Sequence, residues 1–540
     1  MHRRQFLQQS VIGAATLSTA SRAIAQSPLA REPERVGSAP LTIGDEVVER
    51  SVEDLRKALE SGQLTARGLT QAYLRRIDAV DRQGGLNSVI ELNPEAMDIA
   101  ERLDLERTAG RVRGPLHGMA VLIKDNIDTA DRMKTTAGSL ALVDARPLRD
   151  AAIVTRLRDA GVVLLGKTNL SEWANFRSEH STSGWSGRGG LTRNPYALDR
   201  NACGSSSGSG SAAAASLCTI AVGTETDGSI ICPSSRAGLV GIKPTVGLVS
   251  RSGIIPISAT QDTAGPMGRT VADAAALLQV LAGPDARDAA TTHQRVARDY
   301  RDYLRPDALQ GARIGVMRNF FGFDPRVDAL MEDAITALEA AGAIIIDKAN
   351  LPTRGQFGDA EFEVLLYEFK AGLAAYFATL GPAAPMKTLA DVIAFNEAHA
   401  SEEMPYFGQD LFVKAQAKGP LTDKAYLAAR ARARRLSREE GLDRVFATRK
   451  VEALLAPSGG PAWLTDLVNG DSGTGGSSGP AAVAGYPSIT VPAGFVRGLP
   501  IGLSLIGPAW TEGRLIGLAH AYEKQTTLRR APQYLPSALV

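Results

Sequence analysis

Four short aliphatic runs, MAVLI (119–123), VVLL (162–165), CTIAV (218–222) and GLVGI (238–242), alternate with stretches of helical periodicity such as residues 151–160. Runs of four or five apolar residues, bounded by turn signals, read as strands buried on both faces. Such strands need helices on each side, so the expected fold is α/β, a large mixed sheet covered by helices on both faces. A further cycle follows. ARIGV reads as a strand, Val327 to Ala341 as a helix and AIIID as a strand, and sheet texture returns at VEALLAPS, SITVPAG and IGLSLIGP before a final helix near Leu515 to Lys524. Nearer the start, Leu55 and Leu59 mark one helix broken near Gly62, and Leu69, Tyr73, Leu74 and Ile77 mark a second, capped by Thr65. No Pro- or Ser-rich linker interrupts this course and no fixed repeat is visible. A single domain over 47–540 is expected, with a mostly helical insertion around 359–450 placed to pack over a sheet edge as a lid.

Composition excludes several classes. With 44% hydrophobic and 22% charged residues over 540 positions, the chain can bury a large core, and a formal charge of +2 argues against a nucleic-acid surface. Arginine is concentrated only in AARARARRLSREE (428–440), which reads as a solvated helix face. The first 25 residues read as an address: Arg3 and Arg4 precede Phe6-Leu7, then a mildly apolar segment from Val11 to Ala20 and small residues at Ala23-Ile24-Ala25. A twin-arginine signal (1–25), a linker (26–46) and a periplasmic or secreted protein are expected. No later run is long and apolar enough to span a bilayer, so no stable membrane association is expected. Three cysteines, Cys203, Cys218 and Cys232, cannot make a disulfide framework and have no zinc spacing. Buried packing is their default role, with one disulfide left open. No feature assigns an oligomeric state.

The chemistry gathers between Gly204 and Pro233. GSSSGSGSAAAA leads through an apolar segment into GTETDGSIICP, placing Ser205 and Ser229 on glycine-rich backbone. The Gly-Ser composition is that of a linker, but tetra-alanine and a strand follow directly, so a tight loop opening a buried helix is the better reading. None of the six histidines stands beside either serine. A serine nucleophile must lose its proton, and a lysine buried behind apolar residues can accept it. Lys124, at the end of MAVLI, is such a lysine, so the residues suggest a Ser-Ser-Lys hydrolase. Successive amides of Thr226, Asp227, Gly228 and Ser229 can converge on one point as an oxyanion hole. Asp227 either caps the following turn or brings a carboxylate to the substrate. Lys243 in GIKPT is a rival lysine read as structural, as is His117. GVVLLGKT (161–168) matches the phosphate-loop expression, yet its Val-Val-Leu-Leu must itself be strand, so a nucleotide site is rejected.

These residues resemble the amidase signature family in the serine spacing, the lysine after GPLHG and the tail GLVGIKPTVGLVSRSGIIP, from about Val47 to Tyr522. LSEWANFR (170–177), CGSSSGS and GTETDGSI are most similar to the peptide amidases. The resemblance implies the amidase signature fold, a cis peptide at Ser205, and hydrolysis of a carboxamide with Ser229 as nucleophile, Ser205 as relay and Lys124 as base. It implies a small-molecule or peptide amide substrate and no metal or cofactor. Most members carry a glycine where this chain has Asp227. The alternative activity is a broad acylamidase on small aliphatic or aryl amides. Two other classes are disfavoured: the amidase-like component of a tRNA-dependent amidotransferase by the export signal, and a silent binding protein by retention of all three polar residues.

Overall fold

The computed structural model describes residues 45–293 and 295–538, so the expected signal and nearly all of the linker lie outside the described residues. Thirteen strands form among the described residues. In chain order they are β1 (Val89–Leu92), β2 (Ala120–Lys124), β3 (Val163–Thr168), the short ribbon β4 (Trp185–Ser186) and β5 (Gly190–Leu191), β6 (Ile220–Glu225), β7 (Val240–Lys243) and β8 (Thr263–Gly268). After them come β9 (Arg313–Val316), β10 (Ile344–Ile346), β11 (Ala453–Pro457), β12 (Ser488–Val496) and β13 (Leu499–Ile506). All but the ribbon join one 11-stranded sheet in the order β1-β3-β2-β6-β8-β7-β12-β13-β11-β9-β10. Parallel pairs at β3-β2-β6 and β11-β9-β10 are joined through antiparallel ones, so the sheet is mixed as expected.

The aliphatic runs become strands buried along their whole length, which is why they carry no polar alternation. VLLGKT is itself β3, and Lys167 donates to the Ile127 carbonyl and Thr135 Oγ1 inside the protein, consistent with rejecting a nucleotide site. The helices fall where periodicity and caps place them. Residues 52–60 start at Ser51 with a capping box, and residues 66–76 start where Thr65 accepts from the Gly68 amide. Sequence periodicity missed β8, because TAGPMG carries glycine and proline in the middle of a central strand.

Between Gly358 and Arg449 the chain is mostly helical, its helices joined by short irregular stretches at 380–388, 404–409 and 417–423. Its first half packs on loops more than on the sheet: Phe369 stacks on Phe412 and meets Phe176 edge-on, and Trp173 packs edge-on against Phe412. The second half covers strands, with Ala433, Leu436 and Val445 against Leu454 and Ile506. The arginines of residues 428–440 lie mainly on the solvated side, as read from sequence.

An ion cluster locks the first half down. Arg177 is fully buried, donates to Glu172 and to the Glu403 and Phe407 carbonyls, and stacks under Phe407. Glu403 in turn accepts from Ser139 and the Leu140 amide, while Glu172 accepts from the Gly187 amide. Burial, reinforced by Glu403, holds the Glu172 carboxyl far above the usual range, against the pull of Arg177. Removing the arginine leaves two buried carboxyl groups without a cation, a change that typically costs about 3–5 kcal/mol. Arg177→Met is therefore expected to lower the unfolding free energy by about 3 kcal/mol or more in chemical denaturation, and a loss under about 1 kcal/mol would contradict this role.

Candidate active site

β2 and β6 are parallel neighbours with Ile123 opposite Val222, so their carboxyl ends deliver Lys124 and the segment from Thr224 onward to one place. Such ends are where α/β sheets bind ligands. Lys124 has no exposed surface. Its Nζ lies 2.7 Å from Ser205 Oγ, 2.9 Å from Thr224 Oγ1 and 3.4 Å from the Thr224 carbonyl. Asn126 Nδ2 donates to the same Thr224 hydroxyl at 3.0 Å. Burial pushes the lysine down to about 7, although Glu225 and Asp262 pull it up. A neutral amine has two N–H groups and one lone pair. The Thr224 hydroxyl and carbonyl can take the two donors, which leaves the lone pair to accept from the Ser205 hydroxyl.

Ser205 follows a cis peptide bond at Gly204 and stands just before the helix Ser207–Ala214, all of whose residues are buried. Small side chains make that burial feasible. At Gly208 a Cβ would come within 2.3 Å of the Ser88 carbonyl oxygen and 2.4 Å of that of Asn169. The Ser206 amide donates to the Ser229 carbonyl at 3.2 Å, joining the two serine loops through backbone. A disulfide between Cys203 and Cys232 joins them a second time, and Cys218 remains a buried free thiol.

Ser229, 9% exposed, ends a turn whose reversal is made by Gly228 at φ +78°. Glu225 fixes the residues just after it, its Oε2 accepting from the amides of Ile230 and Ile231 at 2.7 and 2.9 Å. The amides of Thr226, Asp227, Gly228 and Ser229 take no partner among the described residues, so all four are free to donate to a ligand oxygen. Thr226 is held from behind, its hydroxyl donating to Asp262 at 2.6 Å and its carbonyl accepting from Gln261 at 3.3 Å. Asp227 is solvent-exposed while the protein around it desolvates its carboxylate and pushes its pKa up. Beside it, burial and the Asp227 charge push Glu361, from the helical segment, up to about 8.

The structure thus brings Lys124 to Ser205 and Ser205 to the Ser229 turn. Lys243 is buried and donates to the Pro244 carbonyl, and His117 is bound to the Leu103 carbonyl; neither makes a hydrogen bond to Ser205 or Ser229 among the described residues. Sequence reasoning missed Thr224, Asn126 and Glu225. The one available signal was their closeness in sequence to Lys124 and Ser229, since a threonine in a buried strand otherwise reads as packing.

Residues 68–516 match the Amidase family. A solved peptide amidase in complex with the competitive inhibitor chymostatin is 53% identical, with a TM-score of 0.87 over 91% of this chain and all of that one. The native peptide amidase of Stenotrophomonas maltophilia is 52% identical with a TM-score of 0.86, over 90% of this chain and 99% of that one. Similarity extends to a probable amidase of Arabidopsis thaliana, 39% identical over 91% of this chain and 92% of that protein.

Protonation of Lys124 removes the lone pair that faces Ser205. Amide hydrolysis is therefore expected to rise with pH through about 7 and level off above it, read as kcat/KM against pH. A profile that stays flat across pH 7, or falls as pH rises through it, would show that the neutral lysine is not required.

Proposed function

The chain belongs to the amidase signature family of amide hydrolases, and from that premise we propose that it releases ammonia from the C-terminal amide of peptides through an acyl-enzyme on Ser229. The observation that carries the chemistry is the contact of buried Lys124 with Ser205 at 2.7 Å, beside the Ser229 turn. Ser229 Oγ attacks the carboxamide carbon and passes its proton to Ser205 Oγ, whose own proton moves to Lys124 Nζ. The amides of Thr226, Asp227, Gly228 and Ser229 stabilise the oxyanion that forms. As the intermediate collapses, the proton returns along the same relay to the departing nitrogen, and ammonia leaves. Water then attacks the Ser229 ester and gives a proton to the relay, which returns it to Ser229 Oγ as the C–O bond breaks and the acid departs.

The peptide preference draws support from the likeness to solved peptide amidases over almost the whole chain. A cleft for such substrates must admit an NH2 leaving group and exclude a continuing chain. The helical segment and residues 469–479 are candidates for that wall. Ser229→Ala is expected to lower turnover by several orders of magnitude while the fold persists. Wild type given a slow ester or amide should carry a covalent adduct on the peptide containing Ser229. An adduct on Ser205 alone would overturn the assignment. On the same reading, kcat/KM for a dipeptide amide should exceed that for acetamide about tenfold or more, with internal peptide bonds untouched. Equal turnover of simple aliphatic amides would favour the broad acylamidase.

The address proposed for residues 1–25 is export in the folded state, supported by Arg3, Arg4 and the small residues at 23–25. Replacing both arginines by lysine should hold an uncleaved precursor in the cytoplasm of the producing cell. Normal export of that variant would contradict the twin-arginine reading.

A further inference from the structure

β6 and β8 are antiparallel neighbours with Glu225 opposite Thr263, so the next pair outward, Thr226 and Asp262, face each other where the two strands end. There Thr226 is gripped at two points. Its hydroxyl donates to Asp262 Oδ1 at 2.6 Å, and its carbonyl accepts from Gln261 Nε2 at 3.3 Å. The loop that carries both partners is closed on itself. The amides of Gln261 and Asp262 donate to the Ser258 carbonyl at 3.2 and 2.9 Å, and Asp262 Oδ2 accepts from the amides of Ile257 and Ser258, each at 2.9 Å. The other side of the loop is fastened to the helix Gly358–Thr379. Glu368 Oε2 accepts from the Ser258 hydroxyl at 2.6 Å and the Thr260 amide at 3.0 Å, and Glu361 Oε1 accepts from Gln261 at 2.9 Å. The turn that this loop grips has freedom of its own, because its reversal is made by a glycine, Gly228, at φ +78°.

We propose that Asp262 is a positioning residue for amide hydrolysis: acting through the Thr226 hydroxyl, it holds the oxyanion turn in the conformation that receives the carbonyl oxygen of the substrate. This rests on the acyl-enzyme reading and extends it. Loss of one oxyanion donor typically lowers kcat about a hundredfold or more, so a turn with a glycine in it needs a fixed first residue. A grip of this kind acts on the transition state, and its loss is read in kcat more than in KM. Asp262 also reaches the base. Its charge and that of Glu225 pull the Lys124 pKa up against burial, while Arg251, paired with Asp288 at 2.6 Å, is the cation that acts on Asp262 itself. Removing the Asp262 charge therefore lowers the lysine further and moves the rising limb of the pH profile to lower pH. A residue that only supported the fold would not do so, since loosening the site admits water and favours the ammonium.

The experiment measures kcat, KM and the pH dependence of kcat/KM for Asp262→Asn, Thr226→Val, Thr226→Ser and the Asp262→Asn/Thr226→Val double variant, on the best amide substrate of the wild type. Active sites are counted by the Ser229 adduct, which removes unfolded protein from the comparison. Asp262→Asn and Thr226→Val are each expected to lower kcat about thirtyfold or more, with KM changed by less than about threefold. Thr226→Ser, which keeps the hydroxyl, should stay within about threefold of wild type. The double variant should be about as slow as the slower single one, because both changes cut the same hydrogen bond. The limb should move to lower pH in Asp262→Asn and stay in place in Thr226→Val. Single variants within about twofold of wild type in kcat, losses that multiply in the double variant, or a limb that stays or rises in Asp262→Asn would overturn the proposal while leaving the acyl-enzyme reading in place. Full turnover by Ser229→Ala would overturn both.

Discussion

Desolvation of one amine governs this molecule. An ordinary lysine is protonated at neutral pH and can take no proton from serine; the sheet and its covering elements remove water from Lys124, which pushes it down to about 7 and fits it to the proposed role of base. That requirement explains much of the surrounding architecture. Lys124 must stand at the end of a strand buried on both faces, and its two remaining N–H groups must be satisfied without a carboxylate in hydrogen-bond contact. Thr224 does this with a hydroxyl and a carbonyl, which hold the amine in place with no full negative charge. A carboxylate at that position would raise the lysine again and return it to the ammonium form. Glu225, the next residue, directs Oε2 to the amides of Ile230 and Ile231 instead.

In sequence one serine precedes β6 and the other follows it, and the register of that strand against β2 sets its carboxyl end beside Lys124, which meets Ser205. Close packing of the Ser207–Ala214 helix is the second condition. Serine, glycine and alanine let it lie deep in the protein, which gives the Ser205 loop a rigid footing. Above this layer the helical segment packs on the 170–177 loop through aromatic contacts and the Arg177 cluster. The helical segment is therefore anchored on the buried Arg177 cluster rather than lying loosely over the surface.

The strands richest in Val, Leu and Ile were legible in the sequence because full burial leaves an unbroken apolar run. β8 was not, since TAGPMG is held by pairing with β6 and β7 rather than by side-chain texture. Lys124, Ser205 and Ser229 could be picked out by residue type and local glycine content. Their meeting could not, because 81 positions separate the lysine from its serine and only the parallel register closes that gap. Asn126 and Thr224 were illegible for a related reason: an amide and a hydroxyl carry no charge, so nothing local distinguishes them from packing residues. Sequence left the cysteines open between burial and one disulfide, and the structure contains one of each kind.

The bridge from Cys203 to Cys232 encloses Ser205, the whole of β6 and Ser229 in one covalent ring with a sequence separation of 29. Closing a loop of that size removes unfolded-chain entropy equivalent to roughly 3–4 kcal/mol in the chain-entropy view. The two serines therefore form a tethered unit whose ends remain near each other even when the strand between them is out of the sheet. The third thiol lies inside the same ring, and burial pushes it up to about 12, so at neutral pH it stays a thiol. Exchange needs a thiolate. The ring thus carries its own spare cysteine in a form that does not attack the bridge, and the pairing that frames the two serines is kinetically protected from the residue nearest to scrambling it.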